Sequence, residues 1–191
     1  MGYGLGASMG AQLGRPDKRV FNIAGDGSFR MNLNELATAK YYGIPIIQVV
    51  MNNQTLGMVR QWQTLFYQQR YSQTDLDRGP DFDKLGEAFG IPTLHIDRPE
   101  QVDDAIRACL AEKGPSMLIC DIPIDDKVFP MVAPGSSIED IIMEEESVSY
   151  THLGTWWSSP TRGRRAVPAC GRCFLPPRLW RGWVLTRRWR S

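Results

Sequence analysis

Residues 23–58 read IAGDGSFRMNLNELATAKYYGIPIIQVVMNNQTLGM, and this stretch places polar side chains directly after two apolar runs. The first run, 19–25, leads into Asp26, which lies between two glycines, and the second run, 45–51, leads into two asparagines. Short apolar runs rich in β-branched residues predict buried strands, and the amphipathic stretch between them predicts a helix. A strand, a helix and a second strand in this order indicate a parallel sheet.

The same alternation continues along the chain. Further strands are predicted at 93–97 and 116–123, and an opening helix is predicted from about residue 5 to residue 14. In the helix that joins the first two strands, helical spacing predicts one buried face, formed by Leu33, Leu36, Ala37 and Tyr41. Strands that alternate with helices predict an α/β fold with a parallel sheet and helices on both of its faces.

The charge distribution divides the chain at about residue 147. Residues 1–146 contain 13 Lys and Arg against 21 Asp and Glu, whereas residues 147–191 contain nine Arg, no acidic residue and five of the six Trp. This abrupt change predicts one domain over 1–146 and a separate tail over 147–191. We interpret the tail as non-native and disordered, because its segment SVSYTHL resembles translated sequencing-adapter sequence. In a genuine tail, interleaved Arg and Trp would favour binding to nucleic acid or an anionic membrane.

Other features exclude several classes of protein. No apolar run reaches the roughly 18 residues needed to span a bilayer, and the glycine-rich start lacks a signal-peptide pattern. We therefore expect a cytoplasmic protein of bacterial type with neither a membrane nor a nucleic-acid partner. The CGRC motif of the tail, Cys170 to Cys173, has no second cysteine pair and no βαβ context, which argues against a zinc or redox site.

Asp26 and Asn53 are expected to lie at one edge of the sheet. They are 27 positions apart, about one helical crossover, and ligands of open parallel sheets bind outside the carboxyl ends of the strands. A carboxylate, an amide oxygen and a nearby backbone carbonyl suit Mg²⁺ or Ca²⁺, and Mg²⁺ usually completes its shell with phosphate oxygens and water. Small residues that let the backbone approach a phosphate, or donate to it, lie beside both positions: Gly25, Gly27, Gly57 and Ser28. The pattern predicts a metal-bridged diphosphate site.

A Gly-Asp-Gly turn followed at this distance by Asn-Asn resembles the thiamine diphosphate signature. Two ordinary strand–helix turns would also give these residues, so the flanking segments decide. These segments are MGYGLGASMGAQLG, GDGSFRMNLNELATA, NNQTLGMVRQWQTLFYQQRYS, PDFDKLGEAFG and FPMVAPGSSIEDII. They resemble the carboxy-terminal domain of the acetolactate synthase (acetohydroxyacid synthase) catalytic subunit, from residue 1 to about residue 142. Pyruvate oxidase and benzoylformate decarboxylase resemble the GMVRQWQ segment less.

The resemblance implies the thiamine diphosphate-binding fold, in its pyrophosphate domain, and roles for individual residues. It implies Mg²⁺ ligands at Asp26, at Asn53 and at the backbone carbonyl of Thr55. It implies contacts with the cofactor for Met1, Gly25, Gly27, Ser28, Asn53, Gly57 and Met58. Of these, Met1 corresponds to the residue that supports the bent V shape of the cofactor. The implied substrate channel is lined by Met58, Val59 and Trp62, although periodicity alone would make Trp62 a helix-packing aromatic.

The resemblance also implies a transferase activity that depends on thiamine diphosphate. The expected reaction joins two molecules of pyruvate to give 2-acetolactate and CO₂, or uses 2-oxobutyrate as the acceptor, in branched-chain amino acid biosynthesis. Glyoxylate carboligase and pyruvate oxidase remain alternatives within the same cofactor class. A non-catalytic cofactor-binding fragment is a further alternative.

Finally, the resemblance implies that this chain is one part of a larger subunit, truncated at its amino terminus. The glutamate that activates the cofactor is expected in the amino-terminal domain of a partner subunit, and most of the FAD site in a middle domain, so no catalytic residue is assigned within this fragment. The expected partners are 2-keto acid substrates, a second catalytic subunit in a homodimer or tetramer, and a regulatory subunit. We therefore expect the fragment to be inactive alone.

Overall fold

The computed structural model describes residues 1–133 and 135–143. The predicted tail, residues 147–191, and the predicted domain boundary beside it lie outside this described part. Within the described part, no helix is both long enough and apolar enough to cross a lipid bilayer. The contacts between residues divide the chain into two compact units.

The first unit contains Met1–Leu56 and Thr74–Ile124 and holds a parallel sheet. Its strands are β1 (Phe21–Gly25), β2 (Ile47–Asn52), β3 (Thr93–Ile96) and β4 (Ser116–Asp121). The helices of the described residues are α1 (Tyr3–Gly14), α2 (Asp26–Arg30), α3 (Leu36–Tyr41), α4 (Gly57–Phe66), α5 (Phe82–Phe89) and α6 (Val102–Ala111). All of these helices except α4 belong to the first unit.

The four strands of this sheet lie in the order β1-β2-β4-β3, and neighbouring strands are parallel. Gly25 is level with Met51 across β1 and β2, and Asn52 is level with Asp121 across β2 and β4. The carboxyl ends of these three strands therefore meet at one edge of the sheet. The α/β fold with a parallel sheet is confirmed, and the four predicted strands agree with the observed ones to within two residues at each end.

Helices cover both faces of the sheet, as predicted. On one face, residues of α1, α2, α3 and α5 form a core with alternate residues of the strands and with Ile46, directly before β2: Leu5, Met9, Phe29, Leu36, Ala39, Phe82, Val50, Met117 and Ile119. Side chains alternate along a strand, so the buried Ile47 and Leu118 face the opposite side. There Ala105 and Cys109 of α6 are buried, and the Ser116 hydroxyl donates to the Cys109 carbonyl at 3.5 Å.

The predicted buried face of the helix between the first two strands was wrong in part. Leu36 is buried and Leu33 is partly buried against the core, as predicted, but Tyr41 is 82% exposed and Ala37 is also exposed, whereas Ala39 is fully buried. A separate 3-10 turn at Leu33–Glu35 precedes α3. Because the 3-10 turn winds more tightly than an α-helix, a single helical period does not run through the segment, and a different side of α3 faces the sheet.

The second unit contains Gly57–Gln73 and continues from Asp125. In α4 the side chain of Gln61 is buried and pairs with the backbone of Val128: its Nε2 donates to the Val128 carbonyl at 2.9 Å, and the Val128 N–H donates to its Oε1 at 2.8 Å. Two short strands, β5 (Met131–Val132) and β6 (Ile141–Ile142), pair antiparallel in this unit. The Gln61 contacts thus join α4 to the segment that leads into β5.

Candidate cofactor site at the carboxyl edge of the sheet

Asp26 directly follows β1 and is the first residue of α2. It is 1% exposed, and its Oδ1 accepts the backbone N–H of Gly27 at 2.8 Å. Burial raises the pKa of Asp26, while hydrogen bonds from the backbone of Gly27 and Gln54 and the charge of Arg30 act against this rise. The backbone of Gln54, in the loop after β2, therefore also lies near the Asp26 carboxylate.

The loop after β2 carries the other predicted metal ligands. Asn53 is half-buried, and its Oδ1 accepts the backbone N–H of Thr55 at 3.2 Å, which closes a tight side-chain turn. Thr55 is 2% exposed, and its hydroxyl donates to the carbonyl of Thr74 at 3.0 Å. Because β1 and β2 are neighbouring strands about 4.8 Å apart, the structure brings the backbones of Asp26 and Asn53 to the same edge of the sheet.

Two of the predicted cofactor contacts, Met1 and Ser28, lie next to each other. The Ser28 hydroxyl oxygen accepts a hydrogen bond from the amino group of Met1 at 2.9 Å and another from the backbone N–H of Gly2 at 3.2 Å. The side chain of Met1 is largely exposed. The structure therefore brings the residues before α1 together with the first turn of α2, where Asp26 lies.

The two glycines of the Gly-Asp-Gly motif have different surroundings. A Cβ added at Gly27 would lie 2.7 Å from Cδ2 of Leu56 and 3.1 Å from Cδ1 of Leu76, so leucine side chains fill the space beside it. A Cβ added at Gly25 would meet no described atom within 4 Å. Of the two, Gly25 is the glycine that leaves open space beside the strand end.

Arg30, which was not among the predicted site residues, also lies near Asp26. Its Nη2 is 3.6 Å from Asp26 Oδ2, and its Nη1 donates to the Leu76 carbonyl at 2.7 Å. Asp26 Oδ2 itself is buried and has no hydrogen-bond partner among the residues that the structure describes. The spacing of four positions within one helix is the sequence signal that pairs Arg30 with Asp26.

A second polar cluster involves the ends of β2, β3 and β4. His95 Nδ1 lies 2.8 Å from an oxygen of Asp83, and Nε2 lies 3.0 Å from an oxygen of Asp121. Asn52 donates to the other oxygen of Asp121 at 2.7 Å. Carboxylates accept but do not donate, so this geometry fits a doubly protonated imidazolium. A cleft of about 340 Å³ lies here, with a lining that includes Arg30, Asn52, Gln54, Asp83 and His95.

Sequence reasoning missed this histidine cluster, although a signal for it was present. His95 and Asp121 both lie at or near the ends of strands that the apolar runs predict. The rule that selected Asp26 and Asn53, a polar residue at the carboxyl end of a parallel strand, applies equally to them. Asp83 gives no such signal because it lies on an exposed side of α5.

A comparison with known families decides the assignment. The family described as "Thiamine pyrophosphate enzyme, C-terminal TPP binding domain" matches residues 1–120. The chain belongs to this family.

Relatives of this thiamine pyrophosphate domain include several acetolactate synthases. The chain is 48% identical over 142 residues to the acetolactate synthase isozyme 2 large subunit of Escherichia coli (strain K12), a match that covers 74% of this chain and 26% of that subunit. It is 49% identical over 146 residues to the acetolactate synthase of Mycobacterium avium, a match that covers 74% of this chain and 24% of that synthase. It is 43% identical over 142 residues to the mitochondrial acetolactate synthase catalytic subunit of Saccharomyces cerevisiae, a match that covers 74% of this chain and 20% of that subunit. The resemblance to the acetolactate synthase catalytic subunit is confirmed, and the chain spans about a quarter of the length of the first two of these relatives.

Among solved structures, the thiamine diphosphate-dependent 4-hydroxybenzoylformate decarboxylase of Rhodococcus jostii RHA1 is similar to this chain. The TM-score is 0.62 at 30% sequence identity, and the match covers 66% of this chain and 24% of that one. Together with the parallel sheet, this similarity confirms the predicted thiamine diphosphate-binding fold.

The residues at this edge of the thiamine pyrophosphate domain fit a Mg²⁺ ion. A buried carboxylate oxygen without a donor, such as Asp26 Oδ2, is costly, and a cation bound there would remove that cost. The described residues contain no group of three His, Cys, Asp or Glu side chains that could hold a metal. A set with one carboxylate, one amide and one carbonyl therefore needs further oxygens, which a diphosphate can supply.

The predicted channel residues of the thiamine pyrophosphate domain lie on α4, in the second unit. Met58 and Val59 are 49% and 47% exposed. Trp62 is half-buried, and its ring meets the Phe66 ring edge-on, with the ring centres 6.0 Å apart. Gly57 is the first residue of this helix. Their roles toward cofactor and substrate stay predictions.

Proposed function

We propose that this chain supplies the metal and diphosphate half of an acetolactate synthase-type active site, in an enzyme that joins two 2-keto acids and releases CO₂. The identity to acetolactate synthases of three organisms supports this reaction class. The observation that carries the proposal is the buried Asp26 carboxylate. Its Oδ2 has no hydrogen-bond partner among the described residues, and Asp26 follows β1 at the edge of the sheet where the neighbouring strand β2 leads into Asn53.

In this proposal the chain's own residues bind and orient the cofactor. Asp26, Asn53 and the carbonyl of Thr55 hold Mg²⁺, which neutralises part of the charge of the diphosphate. Ser28 accepts two hydrogen bonds from the start of the chain, so its O–H is the group that it offers to a phosphate oxygen. When bound, thiamine diphosphate supplies the electron sink for decarboxylation.

The proposed substrates are pyruvate as the donor and either pyruvate or 2-oxobutyrate as the acceptor, in branched-chain amino acid biosynthesis. This assigns the parent enzyme to the transferases. Met58, Val59 and Trp62 are proposed to line the substrate channel, where apolar side chains suit the short alkyl groups of these acids. The parent subunit is further proposed to pair with a second catalytic subunit, to bind FAD mostly outside this chain, and to bind a regulatory subunit.

The isolated chain is expected to be inactive. By the resemblance to acetolactate synthase, the glutamate that activates the cofactor belongs to the amino-terminal domain of a partner subunit. We therefore expect no acetolactate from the isolated chain supplied with pyruvate, thiamine diphosphate and Mg²⁺, measured by a colorimetric acetoin assay. Clear formation of acetolactate would show that the chain carries a complete site.

Calorimetry of the isolated chain with thiamine diphosphate tests the proposed half-site. We expect binding that requires Mg²⁺ and that is lost in Asp26→Asn, which keeps the size of the side chain and removes its charge. Asp104→Asn, at an exposed position of α6, is the matched control and should leave binding unchanged. Binding that persists without Mg²⁺ and in Asp26→Asn would refute the proposed site.

Product analysis on the full-length parent separates the proposed reaction from its rivals. Glyoxylate carboligase and pyruvate oxidase use the same cofactor, and the solved relative is named as a decarboxylase. Formation of 2-acetolactate from pyruvate supports the proposal. An aldehyde or an oxidised acid as the main product would contradict it.

A further inference from the structure

Arg30 is held beside Asp26 without forming a direct hydrogen bond to it. Its Nη2 lies 3.6 Å from Asp26 Oδ2, which is longer than a hydrogen bond, and its side chain is 17% exposed. Its Nη1 donates to the Leu76 carbonyl at 2.7 Å, and the guanidinium lies 5.5 Å from the centre of the Phe82 ring. The contacts with Leu76 and Phe82 fix the guanidinium independently of Asp26.

The surroundings of Arg30 hold its guanidinium in a position that leaves one of its hydrogen-bond donors unpaired. Gly79 lies so close to the guanidinium that any side chain at Gly79 would collide with it. The Nε of Arg30 is buried and has no hydrogen-bond partner among the described residues. An unpaired buried donor is costly, so the position of Arg30 is not the one that best satisfies its own hydrogen bonds. The nearby carboxylate of Asp26 offsets part of this cost by its charge.

The charge of Arg30 stabilises the chain without a metal ion but opposes the binding of one. Without a metal ion, the buried Asp26 carboxylate has the N–H of Gly27 as a donor, and the guanidinium adds a full positive charge close by. A buried carboxylate needs such compensation. Once a divalent cation binds Asp26, the same guanidinium is a like charge nearby and repels the ion.

We propose that Arg30 is a resident counter-ion of Asp26, which stabilises the chain without its metal and limits the affinity of the divalent cation. The inference rests on the proposed cation site at Asp26. Arg30→Met removes the charge and keeps an unbranched side chain that packs over Phe82. We expect this variant to bind Mg²⁺ roughly tenfold more tightly at saturating thiamine diphosphate. Without Mg²⁺, its unfolding midpoint should fall by about 2–4 °C.

The binding experiment is a calorimetric titration of Mg²⁺ into the chain with thiamine diphosphate present. Arg30→Lys keeps the charge and should bind Mg²⁺ like the unmodified chain. Arg107→Met removes an exposed arginine that pairs with Asp104 on α6, and should also leave the affinity unchanged. Equal affinity in Arg30→Met overturns the proposal, and so does weaker affinity, which would make Arg30 a ligand of the diphosphate instead.

Unfolding in EDTA separates this inference from the proposed function. If Arg30 acts through Asp26, the fall in midpoint caused by Arg30→Met should largely disappear in the Asp26→Asn background. An equal fall in the unfolding midpoint in the unmodified and the Asp26→Asn backgrounds would overturn the proposal that Arg30 is a counter-ion of Asp26. A third outcome is that Asp26→Asn removes the effect of Arg30→Met in EDTA while the unmodified chain binds no Mg²⁺. This result would refute the proposed function and the proposed limit on Mg²⁺ affinity. The stabilisation of the chain by the contact between Arg30 and Asp26 would still hold. If Arg30→Met does not fold, Arg30→Gln, which retains a donor for the Leu76 carbonyl, replaces it.

Discussion

Gly25 and Gly27 flank the same carboxylate, and only one of them is closely packed. At Gly27 an added Cβ would lie 2.7 Å from a methyl carbon of Leu56 and 3.1 Å from one of Leu76. At Gly25 the backbone is extended, with φ −67° and ψ 153°, and an added Cβ would meet no described atom within 4 Å. Alanine adopts such a backbone without strain. The two glycines therefore form a matched pair for mutation.

We predict that Gly27→Ala lowers the free energy of unfolding by about 1–3 kcal/mol, because the new methyl group must displace two leucine side chains. Gly25→Ala is the control, and it should change that free energy by less than about 1 kcal/mol, in the stabilising direction, because alanine restricts the unfolded chain. Urea denaturation followed by circular dichroism measures both. Equal losses at the two positions would argue against the packing described for Gly27.

At the scale of single residues, the sequence predicts the location of a site residue when that residue directly follows a strand. Asp26 and Asn53 were predictable because each follows an apolar run, and the geometry of a parallel sheet then places both at one edge. The role of Arg30 was not predictable in the same way. The carbonyl that holds its guanidinium belongs to Leu76, 46 residues later, and no periodicity in the sequence fixes the path of that segment.

Among the elements, β3, β4 and α5 are joined by His95. Burial lowers the pKa of His95, but its hydrogen bonds and charge interactions with Asp83 and Asp121 together raise it by more, so the net pKa lies above the ordinary 6.5. A pKa that rises on folding stabilises the protonated fold. The contribution is complete below about pH 6.5 and is lost as the pH rises through the higher pKa of the folded chain.

We predict that His95→Gln destabilises the chain more at about pH 6 than at about pH 9. The difference should be roughly 0.5 kcal/mol, a small value because the side chain is 40% exposed and water screens its ion pairs. Urea denaturation at both pH values measures it. Lys84→Gln, which breaks an exposed ion pair with Asp81, is the control, because Lys84 stays charged at both pH values. An equal effect of His95→Gln at both pH values would exclude the imidazolium bridge.

In the second unit, two glutamines of α4 make the same kind of contact with different burial. Gln61 is 3% exposed and pairs with the backbone of Val128, whereas the more exposed Gln63 pairs with the backbone of Ser72 at 3.0 and 3.1 Å. We predict that Gln61→Ala costs about 1–2 kcal/mol, since it leaves part-buried backbone groups of Val128 without their partner. Gln63→Ala should cost less. Hydrogen exchange at the Val128 amide should accelerate only in Gln61→Ala, and unchanged exchange there would contradict this pairing.

Strands that contain a run of several apolar residues were predictable from the sequence, whereas strands of two residues were not. The four strands of the sheet each contain an apolar run that ends at turn or polar residues, so their positions follow from the pattern. The buried face of α3 was mispredicted because the preceding 3-10 turn changes the helical period. The strands β5 and β6 are two residues each, too short for any periodicity to appear.

Over the whole chain, the residues proposed to bind metal and diphosphate are concentrated in the first unit. They come from the start of the chain, from the junction of β1 and α2, and from the loop after β2, while Gly57, Met58 and the proposed channel residues belong to α4 in the second unit. The chain spans 26% of the length of its Escherichia coli relative, so acetolactate synthesis is proposed for the parent and cofactor binding for this chain. The family itself was predictable because several motifs occur in the right order along one sequence.

A crystal structure of the chain with thiamine diphosphate and Mn²⁺ in place of Mg²⁺ would show whether Asp26 and Asn53 bind one cation, since Mn²⁺ can be located by its anomalous scattering. We expect one peak at the carboxyl edge of the sheet, within about 2.0–2.3 Å of both an Asp26 carboxylate oxygen and the Asn53 amide oxygen. A peak bound elsewhere, for example at Asp83 and Asp121, or a bound cofactor with no ion between these two residues, would contradict it.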